Sequence, residues 1–169
     1  MVLSWAGGPD QLNTSVQATW LPDGHVLITD QANERIIEVT LSKKIVWQYG
    51  MTGVSGNAPD QLNNPNSAKL LANGHILIAD KNNNRAIEVT HDNAKKIVAT
   101  FTAGGAASGV AFASRLANGD TLLTDSNNSR IVEVNRKDQP VWQYFTNDPT
   151  GNAARCQPVP SGSGTVRPP

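Results

Sequence analysis

Leu21-Pro22-Asp23-Gly24-His25-Val26-Leu27-Ile28-Thr29-Asp30 decides the fold, because the chain writes it three times. It returns 50 residues on as Leu71-Ala72-Asn73-Gly74-His75-Ile76-Leu77-Ile78-Ala79-Asp80, and 45 further on as Leu116-Ala117-Asn118-Gly119-Asp120-Thr121-Leu122-Leu123-Thr124-Asp125. Periods of roughly 20–50 residues mark repeat architectures. Each copy then runs on in step. Asp30, Asp80 and Asp125 lead to Asn33, Asn83 and Asn128, then to Arg35, Arg85 and Arg130. The apolar runs Ile36-Ile37-Glu38-Val39, Ala86-Ile87-Glu88-Val89 and Ile131-Val132-Glu133-Val134 follow, and Ile45–Tyr49, Ile97–Phe101 and Val141–Phe145 close the units.

These runs are short, rich in Val, Ile, Leu and Thr, and bounded by Asp-Gly, Asn-Gly or Asn-rich turns, which is the signature of strands rather than helices. Asp23-Gly24, Asn73-Gly74 and Asn118-Gly119 suit tight hairpins that need positive φ. With the run that precedes each Gly turn, such as Ser67–Leu71, every unit has four strands. Four antiparallel strands at this period make a β-propeller blade. The expected class is all-β: three four-stranded blades, a half-propeller, with almost no helix. Residues 1–13 read as the end strand of a preceding blade with its lead-in loop, 14–50 as blade 1, and 51–103 as a loop and blade 2. Residues 104–146 read as blade 3, and 147–169 as a loop, the start of a fourth blade and a Pro/Gly/Ser-rich tail.

The sequence resembles the NHL and PQQ-like β-propeller repeat families. The likeness rests on Pro65-Asn66-Ser67-Ala68 leading into the inner strand, the Asn-Gly hairpin, Leu-Ile-Ala-Asp, and Asn-x-Arg-x-Ile-Glu-Val followed by Val-Trp-Gln-Tyr. It covers nearly the whole chain and speaks to fold, since propellers host many functions.

Composition excludes several roles. Fourteen basic and 14 acidic residues give a net charge of +0, so there is no footprint for nucleic acid and no basic face for a membrane surface. No apolar run approaches the ~20 residues of a membrane span, and Met1–Ala6 has no basic n-region or long apolar core. A soluble chain is expected, its compartment left open. The single cysteine, Cys156, makes neither an intrachain disulfide nor a metal cluster.

Three blades form an open arc, whereas propellers use about 4–8. Its two end faces would expose more apolar surface than monomers tolerate. A twofold pair of arcs closes a six-bladed ring, so a homodimer is the expected partner state.

Residues repeated in every blade serve the blade: an Asp closing a turn and an Arg paired with it suffice for Asp30/Arg35 and their counterparts. His25 and His75 lie on different blades, too far apart to share an ion with ~2 Å bonds. Function is expected where repeats differ, in the loops at the channel mouth. The candidate ligand-binding residues are Asp10, Asn13, Gln17, Asp60, Asn63, Asn66, Lys69 and Arg155, and the ligand a small polar molecule or a peptide. No Gly-x-Ser-x-Gly, His-Glu-x-x-His or phosphate loop is present. The competing reading is a weak or promiscuous hydrolase of esters, lactones or phosphotriesters built from paired copies of Asn66, Lys69 and the Asp10 and Asp60 loops. The resemblance reaches six-bladed lactonases and phosphotriesterases that hold calcium in the channel through such loops. Here the equivalent positions are Val16, Asn66 and Ala111, and calcium wants six to eight oxygens, so the match is poor. A third reading is a folding fragment of a longer enzyme.

Overall fold

The computed structural model describes residues 11–145. The strands are β1 (Ser15–Trp20), β2 (Val26–Asp30), β3 (Arg35–Val39), β4 (Ile45–Tyr49), β5 (Pro65–Leu70), β6 (Ile76–Asp80), β7 (Arg85–Val89), β8 (Ile97–Phe101), β9 (Val110–Arg115), β10 (Thr121–Asp125), β11 (Arg130–Val134) and β12 (Pro140–Phe145). They form three antiparallel sheets in chain order, β1 to β4, β5 to β8 and β9 to β12. The sheets are three propeller blades with β1, β5 and β9 innermost. Among the described residues there is no α-helix, only three single 3-10 turns at Gln31–Asn33, Lys81–Asn83 and Ser126–Asn128, and no helix is long and apolar enough to cross a membrane.

The hairpins joining the first two strands of each blade are one residue longer than the two-residue turn that Asp-Gly and Asn-Gly also favour. Leu21 O accepts from Gly24 N at 3.0 Å, and His25 O from Leu21 N at 2.9 Å, so three residues bridge the strands. Only Gly24, with φ of 86°, has positive φ there. Asp23 instead accepts the His25 N–H at 3.0 Å. The carboxylate does by hydrogen bonding what a second left-handed residue would do in the shorter turn.

Two apolar clusters lie between blades rather than within them. Leu27, Ile36, Trp47 and Tyr49 of blade 1 meet Ala68, Ile76, Ile78, Ile87 and Val89 of blade 2. Leu77, Ala79, Ala86 and Phe101 of blade 2 meet Ala113, Leu123, Val132 and Val134 of blade 3. Period-2 alternation explains this: each strand offers alternate residues to its two neighbours. Among the described residues, the outer faces of the arc have no such partners. Ala18 is exposed where Ala68 and Ala113 are buried, and Val26 and Ile28 are half-buried where Ile76 and Ile78 are buried.

Candidate functional site

Each blade carries the same polar clasp. Asp30 accepts from Asn13 N at 2.7 Å, Asn33 Nδ2 at 2.8 Å and Arg35 Nε at 2.8 Å. Asp80 repeats this with Asn63 N, Asn83 and Arg85, each at 2.8 Å. Asp125 does so with Ser108 N, Asn128 and Arg130, at 2.7, 2.9 and 2.7 Å. The three carboxylates are fully buried. Desolvation pushes the Asp80 carboxyl up from its ordinary value, against the pull of Asn63, Asn83 and Arg85. The sequence places these residues correctly as blade structure, and Asn13 and Asn63 join them through their backbone N–H groups.

The remaining candidates bind blades together. Gln17 Oε1 accepts from Ala68 N at 2.8 Å. The Asn66 side chain accepts from Gln31 Nε2 and donates to Ala111 O, both at 3.0 Å, so it spans three blades. Lys69 Nζ donates to Ser114 Oγ at 2.9 Å. Asp60 accepts from Gly50 N at 2.9 Å and pairs with Lys95 Nζ at 2.9 Å. These residues are not gathered around one ligand position. Asp10 and Arg155, like Cys156, lie outside the described residues.

The calcium expected of the six-bladed hydrolases does not fit this arrangement. The carboxamide of Asn66 is held on both its oxygen and its nitrogen, the Asp60 carboxylate on both oxygens, and Val16 and Ala111 bring no side-chain donor. Asp23, His25 and Glu38 do bring ligand atoms within 4.8 Å of one another, in one blade rather than across two. Two histidines already stand against the Glu38 carboxylate: His25 Nδ1 lies 2.5 Å from Glu38 Oε1, and His91 Nε2 of the next blade lies 2.5 Å from Glu38 Oε2. The hydrogen bond to Glu38 is the main cause that raises the His25 pKa, with Asp23 and Glu38 charge adding to it against desolvation. A histidine whose folded pKa is raised stabilises the fold fully below its unfolded value near 6.5, and that contribution fades as pH rises through the folded value. Thermal unfolding followed from pH 6 to 8.5 should show a midpoint that falls with pH, and His25→Asn should flatten the fall. Equal slopes in both proteins would assign the effect elsewhere.

A cleft of about 480 Å³ opens between blades 2 and 3, and the sequence reading missed it. Val98, Ala99 and Phe101 supply its apolar wall, Glu88, Arg115 and Arg136 its charges. Glu88 accepts from Asn73 at 2.9 Å, lies 2.7 Å from His75 Nδ1 and pairs with Arg115 at 2.5 Å. Burial pushes the Glu88 carboxyl up, but Asn73, His75 and the Arg115 charge outweigh it and hold it below the usual range. The Arg115 guanidinium also lies over the Phe101 ring, 5.1 Å from its centroid. The available signal was Ala99, which stands where blades 1 and 3 carry Trp47 and Trp142. A second, smaller cleft of about 380 Å³ lies beside Trp20, Lys69 and Leu70, where β1 and β5 end.

No protein-family model matches the chain, and no curated protein does. Solved β-propeller structures do. A catalytically inactive variant of virginiamycin B lyase from Staphylococcus aureus, with quinupristin, is 21% identical, with a TM-score of 0.61 over 83% of this chain and 44% of its own. The periplasmic gluconolactonase of Pseudomonas aeruginosa is 12% identical, with a TM-score of 0.54 over 74% of this chain and 36% of its own. The Cps50 (Swd1) β-propeller domain of Myceliophteria thermophila is 11% identical, with a TM-score of 0.54 over 79% and 44%. The chain thus spans less than half of each. At these identities the likeness establishes the propeller fold alone.

Proposed function

We propose that the chain is a β-propeller binding module of the NHL or PQQ-like kind, and that two copies close it into a six-bladed ring around a shared channel. The observation that carries the binding reading is the make-up of the inner strands. β1, β5 and β9 hold no Asp, Glu, His or Cys, so they offer a channel no carboxylate, imidazole or thiolate. What they offer is Gln17, Thr19, Lys69 and Ser114, which are groups for holding a polar ligand or peptide. The hydrolase reading would draw on Asp60 and Asn66, both engaged in joining blades.

Closure by a second copy is supported by what the two end faces carry. Trp142 and Tyr144 on blade 3 occupy the positions of Trp47 and Tyr49, since Trp142 pairs with Glu133 as Trp47 pairs with Glu38. Trp47 is 9% exposed because blade 2 covers it, whereas Trp142 is 37% exposed. At the first junction Trp47 lies against His91, with Leu70 packed on the same cluster. The residues of blade 1 at those two positions are Leu41 and Trp20, 69% and 64% exposed. Docking blade 3 of one copy on blade 1 of another would bring Trp142 onto Leu41 and Trp20, covering all three. The twofold axis repeats that junction on the opposite side of the ring, as an isologous pair requires.

Light scattering over a wide dilution range tests the ring. The expected result is a constant mass near twice 18.0 kDa. A compact, stable monomer would overturn the reading and leave the end faces to further blades or to the chain's own ends. An open-ended series of larger species would also overturn it, because a ring of two saturates both faces.

A further inference from the structure

The two blade junctions differ at one decisive position. At the first, the Trp47 indole sits edge-on to His91 with centroids 4.8 Å apart, stacks with Tyr49 and donates its N–H to Asp92 O at 3.2 Å. At the second, the residue paired with the blade's glutamate is Ala99, and the space opposite it is the 480 Å³ cleft. The walls of the cleft are the repeat counterparts of the groups around Trp47. Phe101 replaces Tyr49, Glu88 replaces Glu38, Arg115 replaces Leu70 and Arg136 replaces His91. We propose that this cleft binds a planar aromatic carboxylate of about indole size, its ring in the space taken by Trp47 at the first junction and its carboxylate on Arg136.

The shape argues for a flat ring. Phe101, with the Arg115 guanidinium laid over it, and the small Ala99 leave a slot of the kind filled by an indole in the neighbouring junction. Charge argues for an anion. Glu88 is already answered by His75 and Arg115, while Arg136 makes no ion pair among the described residues and its guanidinium lies over Gly119 at the rim. The cleft is therefore cationic in sum, and a guanidinium meets a carboxylate with two parallel N–H donors. Both walls belong to one chain, so the site stands whether or not the ring closes.

Titration calorimetry with indole-3-acetate, 3-methylindole and cyclohexylacetate tests this. The acid with the aromatic ring should bind saturably, and the neutral ring and the aliphatic acid should each bind at least about tenfold more weakly, the loss expected for one charge-assisted contact or one well-filled aromatic slot. Ala99→Trp, which restores the residue used in blades 1 and 3, should abolish binding. Arg136→Gln should reduce indole-3-acetate to the affinity of 3-methylindole and leave 3-methylindole unchanged. Should Ala99→Trp melt below the parent, Ala99→Leu narrows the slot with less added volume and carries the same expectation. No saturable binding by the parent, binding that survives both substitutions at position 99, or equal affinity for the acid and the neutral ring would overturn the proposal.

Discussion

Asp30→Ala should lower the unfolding free energy by about 3–5 kcal/mol, the usual result of removing one member of a buried ion pair. Asp30 is 0% and Arg35 1% exposed at the side chain, so the guanidinium would keep its burial and lose its counter-charge. The substitution also strips the acceptor from Asn13 N and from the Asn33 amide. Arg35 retains contacts with Gln11 O and Thr52 Oγ1, which are neutral acceptors and cannot stand in for the carboxylate. In a chain of this size the loss corresponds to a melting midpoint lower by roughly 10–20 °C, read by calorimetry or circular dichroism. Asp80→Ala and Asp125→Ala should be milder, because Arg85 and Arg130 are 13% and 11% exposed and retain some hydration. A loss under about 1 kcal/mol for Asp30→Ala, at the level of an exposed pair, would refute the view that the clasp holds the blade together.

The second large effect separates two tryptophans that the repeat makes equivalent. Trp47→Ala should cost about 3–5 kcal/mol of stability, the range for a buried aromatic truncated in a core, at any protein concentration. Trp142→Ala should leave the melting of dilute monomer almost unchanged. It should instead weaken association by roughly a thousandfold, from two identical junctions each losing about 2 kcal/mol at a tryptophan anchor. Sedimentation of the Trp142 variant at micromolar concentration should then give the single-chain mass. If both variants lose stability alike and the mass is unmoved, Trp142 is covered within its own chain and the two-copy ring fails.

Much of the fold was legible because its determinants repeat and lie close in sequence. The Gly turns, the Asp–Asn–Arg series and the alternating apolar strands each act within one blade. The length of the hairpin was not legible, since Asp-Gly serves both a two-residue turn and the longer one, and the Asx hydrogen bond that separates them is not visible in composition. The mouth residues stand out in the sequence as polar groups near the entries to the inner strands, and the structure places Gln17 on β1 and Asn66 and Lys69 on β5. The partners of Gln17, Asn66 and Lys69 lie 35 to 51 residues away, as for Gln31 with Asn66 and Gln17 with Ala68, and no local pattern reports a bond of that span. The cleft left its mark as a missing side chain, and Ala99 in a strand of otherwise good propensity looks unremarkable until its tryptophan counterparts are aligned with it.

The chain-order sheets have a kinetic consequence. Every strand pairs with the strand next to it in sequence, and each clasp reaches back only 17 residues, from Asp30 to Asn13 or Asp80 to Asn63. A blade can thus find its register before any other blade exists, and rapid collapse of such local contacts is favoured over distant ones. Docking then proceeds by adding one preformed plate to the next, and in the single chain the middle plate, flanked on both sides, is the last to open its amides to exchange with solvent.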